Sequence, residues 1–248
     1  MLARNVIRYT DAVKALLLDL DDTILDYSSG VEECWTEACE QYCRPAGIDP
    51  KALMEALRPV RRWFWDDPER HRRERTRMLR AWQNIVMLSM ERLGAVDEAL
   101  AETIARDFAR RRRDCERLFP EALDVLPDFR RRGMPLGLVT NGDVVFQRDK
   151  IDRHALASFF DVIVIEGEFG AGKPDEAVYR HALATLGADA AATCMVGDNL
   201  VWDVDGAQRV GIGGIWIDRD NAGLPGDSAI RPDRIIRSLK ELAEISRP

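Results

Sequence analysis

Residues 15–23 read ALLLDLDDT, an apolar run followed by three aspartates. The apolar part is short enough for a buried strand, which we predict over Lys14–Leu20. Side chains two positions apart on an extended backbone point to the same face, so Asp19 and Asp21 are expected to converge. Two such carboxylates can bind a hard cation such as Mg²⁺, or act as nucleophile and proton carrier. A simple polar turn explains the same residues, because Asp favours turns.

The composition excludes several classes of protein. The chain has 248 residues, 46% hydrophobic and 32% charged, which is ordinary for a globular protein of one or two domains. Its net charge of −7 disfavours a nucleic-acid partner. The apolar runs are shorter than the roughly 18 residues of a membrane span, and Met1–Thr10 has no apolar signal segment. We therefore expect a cytoplasmic protein with no membrane partner. The odd count of five cysteines argues against a disulfide framework.

Short apolar strands alternate with helices from residue 121 onward. The predicted strands are Leu136–Val139, Val162–Ile165, Cys194–Val196 and Gly214–Ile217. The predicted helices are Glu121–Arg132, Asp175–Leu186, Val204–Val210 and, after a loop over Ala222–Pro232, a closing helix over Asp233–Ser246. Such alternation indicates an α/β protein with a Rossmann-like parallel sheet and helices on both faces.

The segment from 27 to 119 has a different texture, with helix following helix. The predicted helices are Val31–Cys43, Lys51–Val60, Glu69–Leu93 and Asp97–Leu118. Because the first core strand precedes this segment, we interpret it as an insertion. The prediction is an α/β core of residues 1–26 and 120–248, with an all-helical domain of residues 27–119 inserted into it.

Polar residues follow three more of the predicted strands. Thr140, Asn141 and Gly142 come after the strand Leu136–Val139 and could bind a phosphate through side-chain and backbone donors, although Asn-Gly is also a common turn. Lys173 lies in a Gly-rich loop before Pro174, where it could reach an anion or simply face solvent.

The last of these sites follows the strand Cys194–Val196. Asp198 could complete a magnesium site begun by Asp19, and Asp203 could bind Lys173 or simply begin a helix. Ligands of open parallel sheets bind at the carboxyl ends of the strands, and all four polar sites fall there.

In their order along the chain, these sites closely resemble the four motifs of the haloacid dehalogenase (HAD) superfamily. The matching residues are Asp19 and Asp21, Thr140, Lys173, and Gly197-Asp198 with Asp203. The resemblance covers residues 14–26 and 120–220, and the helical insertion corresponds to the family's cap.

The resemblance implies a Mg²⁺-dependent phosphatase that works through an aspartyl-phosphate. Asp19 would be the nucleophile, and Asp21 would protonate the leaving oxygen and then take a proton from water. Thr140, Asn141 and Lys173 would bind the phosphoryl oxygens.

The resemblance also implies the ligands of the cation. They would be an oxygen of Asp19, the backbone carbonyl of Asp21, and Asp198. Asp203 would orient Lys173 or a metal-bound water.

Three alternatives remain open at this stage. A 2-haloacid dehalogenase needs neither magnesium nor an acid at the position of Asp21, so the presence of Asp21 favours the phosphatase. A phosphosugar mutase shares all four motifs, and a non-catalytic binding or regulatory protein could retain the fold. The expected substrate is a small phosphorylated metabolite, with nucleotide, phosphoglycolate and sugar phosphates fitting equally well, and the sequence makes no prediction of oligomeric state.

Overall fold

The computed structural model describes residues 13–244, which form two compact units. The first unit contains the described residues up to Asp26 and from Arg117 onward, and the second is Tyr27–Glu116. The segment Met1–Thr10, on which the expectation about a signal segment rests, lies outside the described residues. Within residues 13–244, no helix combines the length and the apolar character that a membrane crossing requires.

A six-stranded parallel sheet is the centre of the first unit. Its strands are β1 (Ala15–Leu18), β4 (Leu136–Thr140), β5 (Val162–Ile165), β6 (Thr193–Gly197), β7 (Gly213–Ile217) and β8 (Arg234–Ile236). They lie in the order β5-β4-β1-β6-β7-β8, with every adjacent pair parallel. Two further strands of two residues each, β2 (Leu25–Asp26) and β3 (Arg117–Leu118), pair antiparallel where the chain leaves and re-enters this unit.

The central strands are buried on both faces, as parallel strands usually are. Every residue of β1, β4, β6 and β7 is buried. Since successive side chains of a strand point to opposite faces, both faces of the sheet must be covered. The carboxyl ends of β1, β4 and β6 therefore meet at one edge of a rigid platform, which is where the polar motifs begin.

Most of the predicted elements of this unit are confirmed. The four strands predicted after residue 121 match the observed ones to within one residue at either end. The helices Glu121–Arg132 and Asp175–Leu186 correspond to α6 (Ala122–Arg131) and α9 (Glu176–Leu186). The predicted Val204–Val210 is a π-helical turn, Leu200–Asp205, followed by α10 (Gly206–Arg209).

The closing helix predicted over Asp233–Ser246 is wrong. Its first part is the edge strand β8, which pairs with β7, and a 3₁₀ helix follows over Leu239–Glu244. Two of the three residues of β8 are isoleucines, which favour strands, and pairing with β7 places them in the sheet. The end of the predicted helix, beyond residue 244, lies outside the described residues.

Two helices of the first unit were absent from the sequence prediction. They are α7 (Val144–Arg153) and α8 (Glu166–Phe169). Asp143 caps α7 by accepting a hydrogen bond from the backbone N–H of Val145 (2.9 Å). The inward positions of α7 include Gln147 and Lys150, both buried. Polar residues at buried positions hide the hydrophobic periodicity by which a helix is recognised.

The second unit is helical, as predicted, but its helix boundaries differ. Its helices are α1 (Val31–Tyr42), α2 (Pro50–Asp66), α3 (Pro68–Glu74), α4 (Met78–Arg92) and α5 (Glu98–Cys115). The predicted helix Glu69–Leu93 is therefore two helices, Lys51–Val60 continues to Asp66, and Asp97–Leu118 ends at Cys115. Stacking of Trp35 on Phe108, with ring centroids 3.7 Å apart, and an edge contact from Trp82 form its aromatic core.

Candidate active site

Asp19 is the first residue beyond β1, and its side chain is buried at the edge of the sheet. Its backbone N–H donates to the carbonyl of Val196 on β6 (2.9 Å), which extends the strand pairing up to the carboxylate. Only 7% of the residue is exposed. Asp19 Oδ1 accepts a hydrogen bond from Lys173 Nζ at 2.6 Å. Lys173 therefore engages one of the two carboxylate oxygens of Asp19.

Lys173 is buried rather than solvent-exposed, in contrast to the simple reading of a loop lysine. Its Nζ donates to Asp19 Oδ1 and to Asp203 Oδ1, both at 2.6 Å. Asn141 fixes its main chain: Asn141 Nδ2 donates to the carbonyl of Lys173 (2.8 Å), and Asn141 Oδ1 accepts from its N–H (2.7 Å). The side chain of Asn141 thus links the end of β4 to the lysine loop.

Asp203 is fully buried on the π-helical turn Leu200–Asp205. Its Oδ2 accepts a hydrogen bond from the N–H of Asn199 (2.9 Å), and its Oδ1 faces Lys173. Gly197 makes room for this carboxylate, since a Cβ added there would lie 2.1 Å from Asp203 Cγ. The residue before Asp198 must therefore be glycine for Asp203 to reach Lys173.

Asp19, Asp198 and Asp203 form a cluster in which one carboxylate oxygen from each lies within 4.8 Å of the others. Burial raises the pKa of Asp19 well above its usual value; Lys173 opposes this shift, and Asp203 and Asp198 reinforce it. Burial likewise raises the pKa of Asp198 to about 7, with Asp203 adding to the shift. Burial alone would lower the pKa of Lys173, but Asp19 and Asp203 hold it above its ordinary range.

The charges of this cluster do not balance. When all three carboxylates are ionised, they face one ammonium group, which leaves an excess of two negative charges where Asp19 and Asp203 are buried. Hard divalent cations prefer such sets of carboxylate oxygens, and a bound cation would offset the repulsion that raises these pKa values. The cluster could therefore hold a metal ion.

Asp21 lies outside this carboxylate cluster. Its two oxygens accept hydrogen bonds from Lys150 Nζ at 2.8 and 2.9 Å, and its Oδ2 accepts a third from Gln147 Nε2 at 3.1 Å. The expected convergence of Asp19 and Asp21 on one carboxylate pocket is replaced by two separate settings. The reason is that β1 ends at Leu18 and the chain turns at Asp22, where φ is +56°, so strand alternation does not govern Asp21.

Thr140 is the last residue of β4 and is 2% exposed. Its Oγ1 accepts a hydrogen bond from Gln147 Nε2 at 2.6 Å. Gln147 therefore contacts both Thr140 and Asp21, residues from two different motifs. Neither Gln147 nor Lys150 was identified from the sequence, because the helix that carries them was not predicted.

Comparisons with known proteins agree with this geometry. The family model for haloacid dehalogenase-like hydrolases matches residues 13–211. A phosphoserine phosphatase of Thermus thermophilus is 34% identical over 255 aligned positions, covering 93% of this chain and 98% of that protein. A glyceraldehyde 3-phosphate phosphatase of Methanocaldococcus jannaschii is 26% identical, covering 94% and 96% of the two chains.

A solved structure shares the fold. It is the putative HAD-hydrolase YfnB from Bacillus subtilis, described as bound to magnesium, with a TM-score of 0.75 at 22% identity. The match covers 96% of this chain and 100% of that one. Along the sequence, the helical unit Tyr27–Glu116 is inserted between the two parts of the first unit, as a cap region would be. By its matched residues, its sheet and its relatives, the chain belongs to the haloacid dehalogenase-like hydrolases and is an enzyme of their phosphatase type.

Proposed function

We propose that the protein hydrolyses the phosphate monoester of a small metabolite, with Asp19 as the nucleophile and Mg²⁺ as the cofactor. The observation that carries this proposal is the buried contact of Asp19 with Lys173 inside a cluster of three carboxylates. A carboxylate that attacks a negatively charged phosphoryl group needs a cationic neighbour, because the positive charge offsets the repulsion between the two anions. The names of the relatives, which act on phosphoserine and glyceraldehyde 3-phosphate, support a small phosphorylated substrate.

The first half of the reaction transfers the phosphoryl group to Asp19. An oxygen of Asp19 forms a bond to phosphorus while the ester P–O bond breaks, and protonated Asp21 gives its proton to the leaving oxygen. The products are an alcohol and an aspartyl-phosphate. Thr140 and Lys173 bind the transferring oxygens, and the side chain of Asn141 holds the main chain of Lys173 in place.

The second half regenerates the enzyme. Asp21, now ionised, takes a proton from water while the water oxygen attacks phosphorus, and the bond between Asp19 and phosphorus breaks. Asp19, Asp198 and the backbone carbonyl of Asp21 would hold Mg²⁺, which would supply positive charge to offset the repulsion between carboxylate and phosphoryl oxygens. Asp203 keeps Lys173 oriented toward Asp19.

The test is the hydrolysis of p-nitrophenyl phosphate with Mg²⁺ and with EDTA. We expect activity that EDTA abolishes and that Asp19→Asn lowers at least about a thousandfold, since the nucleophile is lost. Asp227→Asn is the matched control, because Asp227 is an exposed loop aspartate. Equal rates for the wild type, the EDTA-treated enzyme and Asp19→Asn would contradict the proposal.

The same preparation separates the alternatives. Release of chloride from 2-chloropropionate without metal would indicate a dehalogenase, and interconversion of sugar phosphates with little free phosphate would indicate a mutase. Binding of phosphate esters without turnover would indicate a regulatory protein. A panel of phosphorylated metabolites, with phosphoserine and glyceraldehyde 3-phosphate included, then ranks substrates by kcat/KM.

A further inference from the structure

Helix α7 carries two buried polar side chains that the mechanism above does not use. Gln147 is 3% exposed and Lys150 is 4% exposed. They are three residues apart on the helix and therefore lie on the same face. Burying a lysine ammonium costs free energy unless acceptors or an opposite charge pair with it. The partners of Lys150 therefore indicate the role of this side chain.

Lys150 donates to both oxygens of Asp21 and to Gln147 Oε1, the last at 2.9 Å. An ammonium group can only donate, so the amide oxygen of Gln147 has to face Lys150. The amide nitrogen must then face the opposite way, where it donates to Asp21 Oδ2 and to Thr140 Oγ1. Lys150 thereby sets the orientation of the amide as well as that of the carboxylate.

This orientation has a consequence for Thr140. Because its hydroxyl oxygen accepts the 2.6 Å hydrogen bond from Gln147, its own proton has to go to another acceptor. The carbonyl of Asn141, at 3.4 Å, is a long and weak acceptor for that proton. A phosphoryl oxygen at the end of β4 would be a better one, so Gln147 prepares Thr140 to act as a donor.

The consequence for Asp21 is a defined position. Three hydrogen bonds from two buried side chains restrict its carboxylate, which is two residues from the nucleophile. Proton transfer requires the acid to lie within hydrogen-bond reach of the leaving oxygen. A buried ion pair contributes little net stability, because desolvation offsets the attraction. A positioning role therefore accounts for Lys150 better than a role in holding the fold.

We propose that Gln147 and Lys150 are positioning residues that hold the proton carrier Asp21 and the phosphoryl-binding Thr140 as one unit. This inference rests on the proposed phosphatase function and adds a pair of residues to it. It predicts that Gln147 and Lys150 contribute most to the reaction rate when the leaving oxygen has to be protonated.

The experiment compares two substrates with different leaving groups. Nitrophenolate leaves without a proton, whereas the oxygen of an alkyl phosphate such as glycerol phosphate has to be protonated. We expect Lys150→Met to lower kcat/KM for the alkyl phosphate about a hundredfold and kcat/KM for p-nitrophenyl phosphate only about threefold, since general acid catalysis contributes on the order of 10²–10⁴. The comparison uses kcat/KM because this quantity reports the transfer to Asp19, where the two leaving groups differ, and not the hydrolysis of the aspartyl-phosphate that both substrates share.

Arg148→Met is the matched control, because Arg148 lies on the same helix and pairs with Glu168 at the surface. Its ratio of the two rates should equal that of the wild type. Lys150→Arg keeps the charge and should restore part of the alkyl phosphate activity. If Lys150→Met does not fold, Gln147→Met carries the test, with the same direction of change in the ratio.

The outcomes distinguish the two proposals. Absence of Mg²⁺-dependent hydrolysis in the wild type would overturn both. Wild-type hydrolysis that is lost in Asp19→Asn, together with equal losses on both substrates in Lys150→Met and Gln147→Met, would overturn only the positioning role. A selective loss on the alkyl phosphate supports it.

Discussion

Lys173 and Lys150 are both buried, and each binds an aspartate that follows β1, yet their surroundings differ in charge. Lys173 faces a cluster of three carboxylates and is outnumbered. Lys150 contacts the carboxyl group of Asp21 and a neutral amide, and the charges of Lys150 and Asp21 balance when Asp21 is ionised. The excess negative charge around Lys173 calls for a further cation, whereas the ion pair of Lys150 and Asp21 does not. The first setting is suited to binding a metal ion and phosphate, the second to holding one group in place.

Replacing the lysine of the unbalanced cluster should have the largest effect. Lys173→Met leaves Asp19 and Asp203 buried without their partner, and we expect a loss of about 3–5 kcal/mol in the free energy of unfolding. Urea denaturation measures this loss, and hydrolysis of p-nitrophenyl phosphate should fall by about a thousandfold or more. Lys14→Met, at an exposed position, is the control. A loss of less than about 1 kcal/mol in the free energy of unfolding would contradict this expectation, because it would mean that the three carboxylates do not need Lys173 to offset their repulsion.

Burial of the cluster, to which its excess charge adds, predicts a pH dependence of the metal-free protein. The pKa of Asp198 is raised from 3.8 to about 7 in the fold, so the folded state binds its proton more tightly than the unfolded state does. Stability contributed by that proton is present at low pH and is lost as pH rises from about 4 to about 7, by a few kcal/mol. Thermal unfolding in EDTA measures the slope. Asp198→Asn should flatten it, and an unchanged slope in that variant would assign the effect to another group.

The balanced pair should behave differently when both partners are removed. Lys150→Met and Asp21→Asn each remove one half of the ion pair, whereas the double variant removes both halves, so we expect a coupling free energy of about 1–2 kcal/mol and near-native stability for the double variant. In the unbalanced cluster, Lys173→Met with Asp203→Asn should stay destabilised, because Asp19 and Asp198 still repel each other. Urea denaturation of both cycles compares the two settings, and similar behaviour of the two double variants would contradict the distinction.

Local sequence patterns predicted the elements whose signals are strong and self-contained. Strands such as Val162–Ile165 are apolar runs of the right length between turns, and β5 has these bounds. Glu69–Leu93 has a helical pattern throughout, but the helix is interrupted near Arg75, where no strong helix-ending residue marks the position. Pairing with β7 decided the state of Arg234–Ile236, and that neighbour is remote from any local window.

The sequence by itself determined the strand ends and the types of polar residue placed there, because alternation and turn chemistry act over a few residues. It was enough to bring Asp19, Thr140, Lys173 and Asp198 to one edge of a parallel sheet. Only the tertiary structure decided which charges meet. Asp203 joins the cluster through Lys173, and Asp21 turns to Lys150, because packing of separate helices against the sheet brings together side chains that are remote in sequence. Asp19 and Asp21 thus lie in two different settings, one with excess negative charge and one in which a lysine can balance the carboxylate charge.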